Sequence, residues 1–301
     1  MNRRDLDWDL YRTFLAVLRA GSLSAAARDL DIAQPTVARH IESLEAALGL
    51  QLFVRSPRGL LPSETALELR PYAEGLAATA AALLRTASGQ GGEVRGTVRV
   101  SASEIVGVEV LPPILADLHR RHPALVIELA LSNTVEDLLR READIAVRMV
   151  EPAQGALVAR KVGRIPLGLH AREDYLQRRG MPASLDDLAQ HSLIGFDRPT
   201  PAIRSLVREV PGFDRVRFAL RADSDLAQLA AIRAGFGIGA CQLPLAARDP
   251  QLRPVLPDVF ALELGVWVVC HENLRATPRC AAVFDGLVAG LATYVRNRGD
   301  L

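Results

Sequence analysis

Three consecutive stretches near the N-terminus repeat apolar residues at helical spacing, which predicts helices over residues 6–20, 23–30 and 34–48. Ser22 can cap the second helix, because its hydroxyl can accept a first-turn backbone N–H. Gly49 can end the third helix in a left-handed conformation. Residues 51–55 and 60–62 then predict two strands joined by a Ser-Pro-Arg-Gly turn. This order indicates a helix-turn-helix followed by a β-hairpin wing.

The third predicted helix has one apolar and one polar face. Val37, Ile41, Leu44 and Leu48 recur at the spacing of a buried helix face. The opposite face carries, on the first turns, side chains that hydrogen-bond base edges and phosphates. Spacing alone leaves two interpretations open, a DNA-reading helix and an ordinary helical hairpin with a solvated face. The predicted DNA contacts, including arginines of the wing near the sugar-phosphate backbone, are Ser24, Gln34, Pro35, Thr36, Arg39, His40, Arg55 and Arg58.

A longer amphipathic stretch follows the wing. From Ala66 to Ala87, alanine and leucine recur at alternating spacings of three and four, which is typical of a helix–helix seam. A Gly-rich hinge over 88–92 bounds this stretch, so it has little surface of its own domain to cover. We therefore predict a dimerisation helix, bent or delayed by Pro71, rather than a helix lying on its own domain. The predicted seam residues are Leu69, Ala73, Leu76, Ala80 and Leu83.

Strands and helices alternate after the hinge, which predicts a parallel α/β sheet. The first predicted strands are 97–100, 125–131 and 144–148, with helices over 111–121 and 135–141. Later in the chain, a strand over 218–223 leads into a helix through Ala234, a strand covers 264–270, and a helix over 281–295 closes the chain.

Two loops at predicted strand ends carry small hydroxyl and amide groups beside a helix start. Ligands of such sheets collect at the carboxyl ends of strands, so these loops could hold a carboxylate or phosphate-like group. For any single Ser or Thr, helix capping is the alternative role. Arg148 could supply a counter-charge or form a surface salt bridge. The predicted effector contacts are Ser101, Ser103, Glu104, Ser132, Asn133, Thr134, Arg148, Phe196, Asp223 and Ser224.

Charge and composition limit how DNA could be bound. The formal net charge of +1 over 301 residues gives no bulk attraction to nucleic acid, so binding must come from where the charges point. Lys161 is the only lysine, so nearly all positive charge is guanidinium, which suits bidentate pairing to guanine or phosphate. A genomic bias towards arginine is the alternative explanation.

Other classes of protein are disfavoured by the motifs. The sequence has no H-E-x-x-H, G-x-S-x-G or phosphate loop, so we expect no enzyme. The glycines of 235–239 follow a predicted helix and open a strand, which is the wrong context for a dinucleotide fingerprint. Cys241, Cys270 and Cys280 form no C-x-x-C pair, so we expect buried thiols, no metal and no cofactor. A signal peptide and a long apolar segment are both missing, so we expect a cytoplasmic protein without a membrane span.

The N-terminal sequence contains a dense run of motif positions, which are A-A-A-x-x-L followed by Gln34-Pro35, Arg39, Ile41, Leu44-Glu45, Leu48-Gly49, Leu52-Phe53 and Arg55. In this order they resemble the N-terminal domain of the LysR-type transcriptional regulators. Two departures stand out. Ala33 replaces the family's usual serine, so Asp31 or water must substitute as the cap of the third helix, and Pro62-Ser63-Glu64-Thr65-Ala66 replaces Leu-Thr-x-x-Gly.

The resemblance continues through the rest of the chain. Residues 157–169 and 184–191 resemble the crossing segment and the short D-D-L helix of LysR-type effector domains, and 144–148 and Tyr175-Leu176 are further matches. A solute-binding protein would explain two lobes but not the winged helix. The implied fold is α/β overall, with an N-terminal winged helix-turn-helix, a long linker helix and a two-lobed, periplasmic-binding-protein-like effector domain.

The resemblance also implies a function and a division into domains. The function is a sequence-specific DNA-binding transcriptional regulator whose operator binding is modulated by a small-molecule effector in the cleft between the lobes. The implied partners are double-stranded DNA, the effector, further copies of the chain in a homodimer or homotetramer, and RNA polymerase. The expected domains are 1–64 for DNA binding, 65–92 for the linker helix and hinge, and 93–301 for effector binding, with lobe 1 at about 93–160 plus 267–301 and lobe 2 at about 161–266.

Overall fold

The computed structural model of the protein describes residues 7–56, 59–87, 94–133, 143–151, 157–199, 203–205, 208, 217–260 and 262–297. The chain divides near residue 84 into two compact units, each with its own core. Within the described ranges, no helix is both long and apolar enough to cross a membrane.

The N-terminal unit is a winged helix-turn-helix, as predicted. Helices α1 to α3 pack around a core that includes Phe14, Val37, Leu44 and Leu52. The strands β1 and β2 form an antiparallel hairpin, which is the wing. The elements are α1 (Trp8–Ala20), α2 (Leu23–Leu30), α3 (Gln34–Leu48), β1 (Phe53–Ser56), β2 (Gly59–Pro62) and α4 (Glu64–Ala87).

Two of the helix ends predicted from the sequence are confirmed, and one predicted cap is not observed. The Ser22 hydroxyl accepts the Ala25 N–H at 3.2 Å and caps α2, and Gly49 ends α3 at a φ of 69°. The prediction that Asp31 caps α3 is wrong, because no side-chain cap hydrogen bond forms at that helix. Asp31 instead ends α2 in a left-handed conformation, at a φ of 55°.

Glu45 joins α3 to the wing. Its Oε1 atom accepts the backbone N–H groups of Leu52 at 2.7 Å and of Phe53 at 3.1 Å. Both residues are buried, so these N–H groups would otherwise be cut off from water without a partner. A single carboxylate therefore sets the angle at which the chain leaves α3 and enters β1.

Replacing Glu45 by alanine is expected to destabilise the N-terminal unit by roughly 2 to 4 kcal/mol, because two buried N–H groups lose their acceptor. The free energy of unfolding is measured by denaturant titration in a Trp267→Phe background, where Trp8 is the remaining tryptophan. Glu42→Ala is the matched control, since Glu42 is exposed on the same helix. Equal stability of the two variants would contradict the role of Glu45.

Helix α4 has two different halves. The Ser63 hydroxyl accepts the Ala66 N–H at 3.2 Å, and the helix continues through Pro71. In the first half, Ala73 is buried and Leu69 packs against the core of its own unit. Ala73 therefore belongs to the core of its own unit and not to a free seam, which corrects its prediction, whereas the half-buried Leu69 stays a predicted seam residue. In the second half, Leu76 is 48% and Leu83 is 67% exposed.

The C-terminal unit is built on one mixed sheet. Its strand order is β10-β6-β11-β5-β3-β4, and β9 also pairs with β6. The elements before β6 are β3 (Gly96–Ala102), a π-helical turn (Val106–Val110), α5 (Leu111–Arg121), β4 (Leu125–Leu131) and β5 (Ile145–Arg148). Those that follow are β6 (Leu157–Arg172), α6 (Glu173–Arg179), a 3-10 turn (Asp186–Gln190), β7 (Ile194–Gly195), β8 (Leu220–Arg221), α7 (Asp225–Arg233), β9 (Gly239–Gln242), α8 (Leu243–Ala246), β10 (Leu252–Val255), β11 (Leu262–His271), α9 (Glu272–Arg275) and α10 (Pro278–Arg296).

Two long strands connect the two lobes of this unit. In lobe 1, β3 is parallel to β4 and β5, as predicted, whereas β11 is antiparallel to β5. The strands β6 and β11 pair along nearly the whole of β11, and the second half of β6 continues into lobe 2 to pair with β9 and β10. The crossing segment predicted at 157–169 is therefore β6. The helix predicted over 135–141 lies outside the described residues.

The glycines of 235–239 serve chain packing, which agrees with rejecting a nucleotide motif. Gly235 follows the end of α7 at a φ of 73°. A Cβ atom on Gly237 would collide with the backbone carbonyl of Ser192. The segment between α7 and β9 therefore needs glycine for conformation and close approach.

Candidate functional site

The first turns of α3 present a polar, solvent-accessible face. Gln34, Pro35 and Arg39 are exposed, and Thr36 is half-buried. Among the residues that the structure describes, Arg39 forms no ion pair or hydrogen bond, so its guanidinium is available to a partner. Val37, Ile41 and Leu44 on the other face are buried and hold the helix against α1 and α2. The packing of the apolar face thus holds α3 in place, while its polar face stays accessible to solvent.

His40 differs from the expectation of a freely exposed contact. Its Nδ1 atom lies 2.9 Å from the Thr13 hydroxyl, which donates its hydrogen to the Asp9 carbonyl at 2.7 Å. A hydroxyl has one hydrogen, so the His40 Nδ1–H must be the donor in its bond to Thr13. This bond ties α3 to α1 and leaves Nε2 as the ring nitrogen that can face a partner.

The other predicted DNA contacts lie on neighbouring elements. Ser24 is exposed on the first turn of α2, and Arg55 is exposed on β1 of the wing. Arg58 lies outside the described residues. Serine and arginine side chains at such positions can donate to phosphate oxygens without reading sequence.

A cavity of about 580 Å³ lies between the two lobes of the C-terminal unit. Its wall includes apolar residues of both lobes, among them Ile105, Leu167 and Leu229. Its size is in the range of small-molecule sites. Of the predicted effector contacts, those that line it are Ser103, Ser132, Asn133, Arg148, Phe196 and Asp223.

Arg148, at the end of β5, is a buried cation of the cavity wall. It is 6% exposed, which excludes the surface salt bridge considered from the sequence. Its guanidinium donates to the Ser101 hydroxyl at 2.9 Å and to the Val147 carbonyl at 3.1 Å. Ser101 therefore orients Arg148 from behind and does not itself line the cavity, which corrects its predicted role.

Glu104 and Ser224 form a contact between the lobes. The Ser224 hydroxyl donates to Glu104 Oε2 at 2.8 Å and also caps α7 by accepting the Ala227 N–H. The Glu104 N–H donates to Asn133 Oδ1 at 3.1 Å, so the two predicted loops do meet. Glu104 and Ser224 support the cavity without lining it, which corrects their assignment as direct contacts. Thr134 lies outside the described residues.

Sequence reasoning missed Asp225, the first residue of α7. Asp225 lines the cavity, and burial, together with the negative charge of Glu104, raises the pKa of its carboxyl to about 6. Its neighbour Asp223 accepts the Arg198 N–H at 2.6 Å. The available signal was the Asp-Ser-Asp run at the predicted strand end. Gln228 and Gln242 are further buried polar residues of the wall that the sequence did not single out.

A second polar contact holds α7 against lobe 1. Arg233 donates to both carboxylate oxygens of Glu109, at 2.7 and 3.0 Å, and this bidentate pairing lowers the pKa of Glu109. Arg248 donates to the Glu109 carbonyl at 2.7 Å. These bonds fix the position of the π-helical turn relative to α7.

The three cysteines are buried and unpaired with one another, as expected. Burial raises the pKa of Cys241 to about 12 and that of Cys270 to about 11, so both thiols stay protonated near neutral pH. Within the described part of the chain, no cluster of His, Cys, Asp and Glu side chains could hold a metal ion.

Two family models match the chain in succession. The model for "Bacterial regulatory helix-turn-helix protein, lysR family" matches residues 8–67. The model for "LysR substrate binding domain" matches residues 91–292.

Individual relatives agree with these matches. The regulator AdmX of Serratia plymuthica is 29% identical, over 94% of this chain and 91% of its own length. An HTH-type transcriptional regulator of Xanthomonas campestris is 31% identical over 61% of this chain, and the match spans about half, 53%, of that relative. Full-length CbnR, solved in complex with its target DNA, superposes with a TM-score of 0.66 at 21% identity, covering 94% of this chain and 99% of CbnR.

Proposed function

The chain belongs to the LysR family of helix-turn-helix transcriptional regulators, and we propose that α3 reads operator DNA while a small molecule in the interlobe cavity controls that binding. The first half of this proposal is supported by the exposure of Gln34 and Arg39 on the first turns of α3, where Arg39 forms no ion pair with any residue in the described ranges. A helix that enters a major groove uses these turns to contact base edges. The CbnR complex supports this reading by its fold alone.

The proposal that a small molecule controls DNA binding is supported by the way the two lobes form the cavity. Both lobes contribute to its wall, and β6 and β11 connect the lobes. A ligand that touches both walls favours the arrangement of lobes in which it makes both sets of contacts. The ligand controls DNA binding when the two arrangements also differ in their affinity for DNA.

We infer that the working form contains at least two copies of the chain. On α4, Leu76 and Leu83 lie within about 20° of each other around the helix, at 100° per residue, and both are exposed in a single chain. A partner helix would bury this stripe, here called the α4 stripe, as an a/d seam does. Action on DNA in the cytoplasm, and communication with RNA polymerase, belong to the same proposal.

The proposed domain limits are those expected from the sequence, 1–64, 65–92 and 93–301. The exposed half of α4 falls in the second of these segments, so the proposal assigns dimer formation to the linker. Relatives of the chain are named as transcriptional regulators, and catalysis has no part in the proposed function.

The direct test is fluorescence anisotropy with the full-length protein and labelled duplex DNA from upstream of its own gene. We expect binding at least about 1,000-fold tighter to the specific duplex than to a scrambled duplex of equal length, at one fixed salt concentration. A series of salt concentrations separates phosphate contacts from base contacts. Equal affinity for both duplexes would contradict sequence-specific recognition.

A further inference from the structure

The lobe 1 wall of the cavity is suited to an anionic group. Arg148 contributes a guanidinium that is held in place by Ser101 and the Val147 carbonyl. Ser103 contributes a buried hydroxyl oxygen for which no hydrogen-bond partner exists among the described atoms. A carboxylate can pair with a guanidinium and accept from a hydroxyl at the same time.

The lobe 2 wall has the opposite character. In lobe 2, Asp223 already accepts the Arg198 N–H, and Ser224 donates its hydroxyl to Glu104 of lobe 1. The Asp225 carboxylate, by contrast, makes no hydrogen bond or ion pair with any residue in the described ranges. A largely buried carboxylate without a partner is unfavourable, and a cationic hydrogen-bond donor would offset that cost.

The remaining wall is mostly apolar. The cavity is also lined by Met149, Phe196, Leu229, Leu245 and Leu264. A ligand that reaches from one lobe to the other must therefore have an apolar body. A simple carboxylic acid would pair with Arg148, but it would leave Asp225 further desolvated, beside Glu104 and without a cationic partner in the described part of the chain.

We propose that the cavity binds an amphoteric organic molecule, an amino acid in the broad sense, whose carboxylate pairs with Arg148 and Ser103 and whose protonated amine pairs with Asp225. This inference rests on the proposed function, because it names the chemical class of the effector. The two charged ends bind different lobes. Both ends can bind only in an arrangement of the lobes that brings Arg148 and Asp225 within reach of one ligand. The ligand therefore stabilises that arrangement over others, as control of DNA binding requires.

The test is isothermal titration calorimetry of the full-length protein with three matched sets of probes. The first set contains unbranched ω-amino acids of four to nine carbons and L-phenylalanine. The second contains the alkanoates of equal length and 3-phenylpropionate, and the third contains the alkylamines and 2-phenylethylamine. We expect at least one amino acid to bind about 10-fold or more tightly than both its acid and its amine counterpart, as a charge-assisted hydrogen bond predicts.

The variant Asp225→Asn isolates the amine contact. It should remove this preference, reducing the affinity for the amino acid about 10-fold or more while leaving the affinity for the matched acid unchanged or higher. Asp258→Asn is the control, since Asp258 is an exposed carboxylate outside the cavity wall. Unchanged thermal unfolding of Asp225→Asn verifies that its fold is intact.

The dependence of affinity on pH gives an independent readout. An ammonium group requires ionised Asp225, whose pKa of about 6 lies far above that of an ordinary aspartate, so amino-acid affinity should fall between about pH 7 and pH 5. A plain acid favours protonated Asp225, and its affinity should rise over the same range. The other charged groups near this site are Glu104, Arg148, Glu151, Arg198, Asp223 and Glu263.

The inference would be overturned if every acid bound as tightly as its amino acid, if Asp225→Asn left the preference intact, or if no amino acid bound. None of these results bears on specific DNA binding without a ligand, which the anisotropy experiment measures separately. A protein that binds its operator and prefers plain acids would keep the proposed function and lose only the amphoteric ligand.

Discussion

Replacing both Leu76 and Leu83 by aspartate is expected to leave the protein monomeric and to weaken its binding to an operator with two half-sites roughly 100-fold or more. The reason is the α4 stripe, whose two leucines are exposed in the single chain. A charge on each leucine position would have to be buried in the partner interface, which is strongly unfavourable. Without the second copy, each winged helix binds its half-site alone. It then loses the extra affinity that two joined DNA-binding units have for two half-sites.

The oligomeric state is measured by sedimentation velocity, and the affinity by anisotropy on the same preparations. The matched control is Ala78→Asp with Ala81→Asp, which places two charges on α4 about 140–160° around the helix from Leu76 and Leu83. The control corrects for the low helix propensity of aspartate. An unchanged sedimentation profile for the leucine variant would refute the assignment of the α4 stripe to dimerisation.

The α4 helix also illustrates where periodicity stops being informative. The alternation of alanine and leucine predicted the helix. It could not show which residues of the stripe pack into the core of their own unit and which remain exposed for a partner helix. Ala73 is buried in the core of its own unit, whereas Leu83 is exposed. The same pattern of spacing serves both purposes, because an intramolecular core and a partner helix bury the same kind of stripe. Only the tertiary packing of α4 against its unit separates them.

The elements of the N-terminal unit were predictable because local signals agree. The Ser22 cap, the apolar face of α3 and the Gly49 stop each determine a boundary from neighbouring residues. The bond from Glu45 to the wing was not predictable, because no spacing rule identifies a carboxylate that accepts N–H groups several residues further along the chain.

The cavity was predictable only in part. The hydroxyl and amide side chains at strand ends identified three of its lining residues, Ser103, Ser132 and Asn133. Ser101 and Glu104 have the same residue types as true lining residues, but they turn towards Arg148 and Ser224. The importance of Asp225 depends on its burial and on the nearby charge of Glu104, which lies more than a hundred positions away in sequence. These two carboxylates come close to each other only when the two lobes are packed together.

Replacing Arg39 by alanine is expected to reduce the affinity for the specific operator by roughly 10-fold to 100-fold and to reduce the affinity for scrambled DNA much less. A bidentate contact from arginine to guanine contributes about 1–3 kcal/mol of discrimination. Arg39 can make this contact because its side chain is exposed and has no ion pair or hydrogen bond among the residues that the structure describes. The exposed Arg55 of the wing gives the contrast. Its replacement by alanine should weaken binding to both duplexes about equally, as the loss of a phosphate contact does.

The design includes a charge-conserving variant and a distant control. Arg39→Lys keeps the positive charge but not the planar fork, so an intermediate loss of specificity would indicate that guanidinium geometry contributes. Arg12→Ala removes an exposed arginine from α1 and should change neither affinity. If Arg39→Ala weakened specific and scrambled binding by the same factor, Arg39 would be a phosphate contact, and base recognition by α3 would have to be assigned to Gln34, Thr36 or Nε2 of His40.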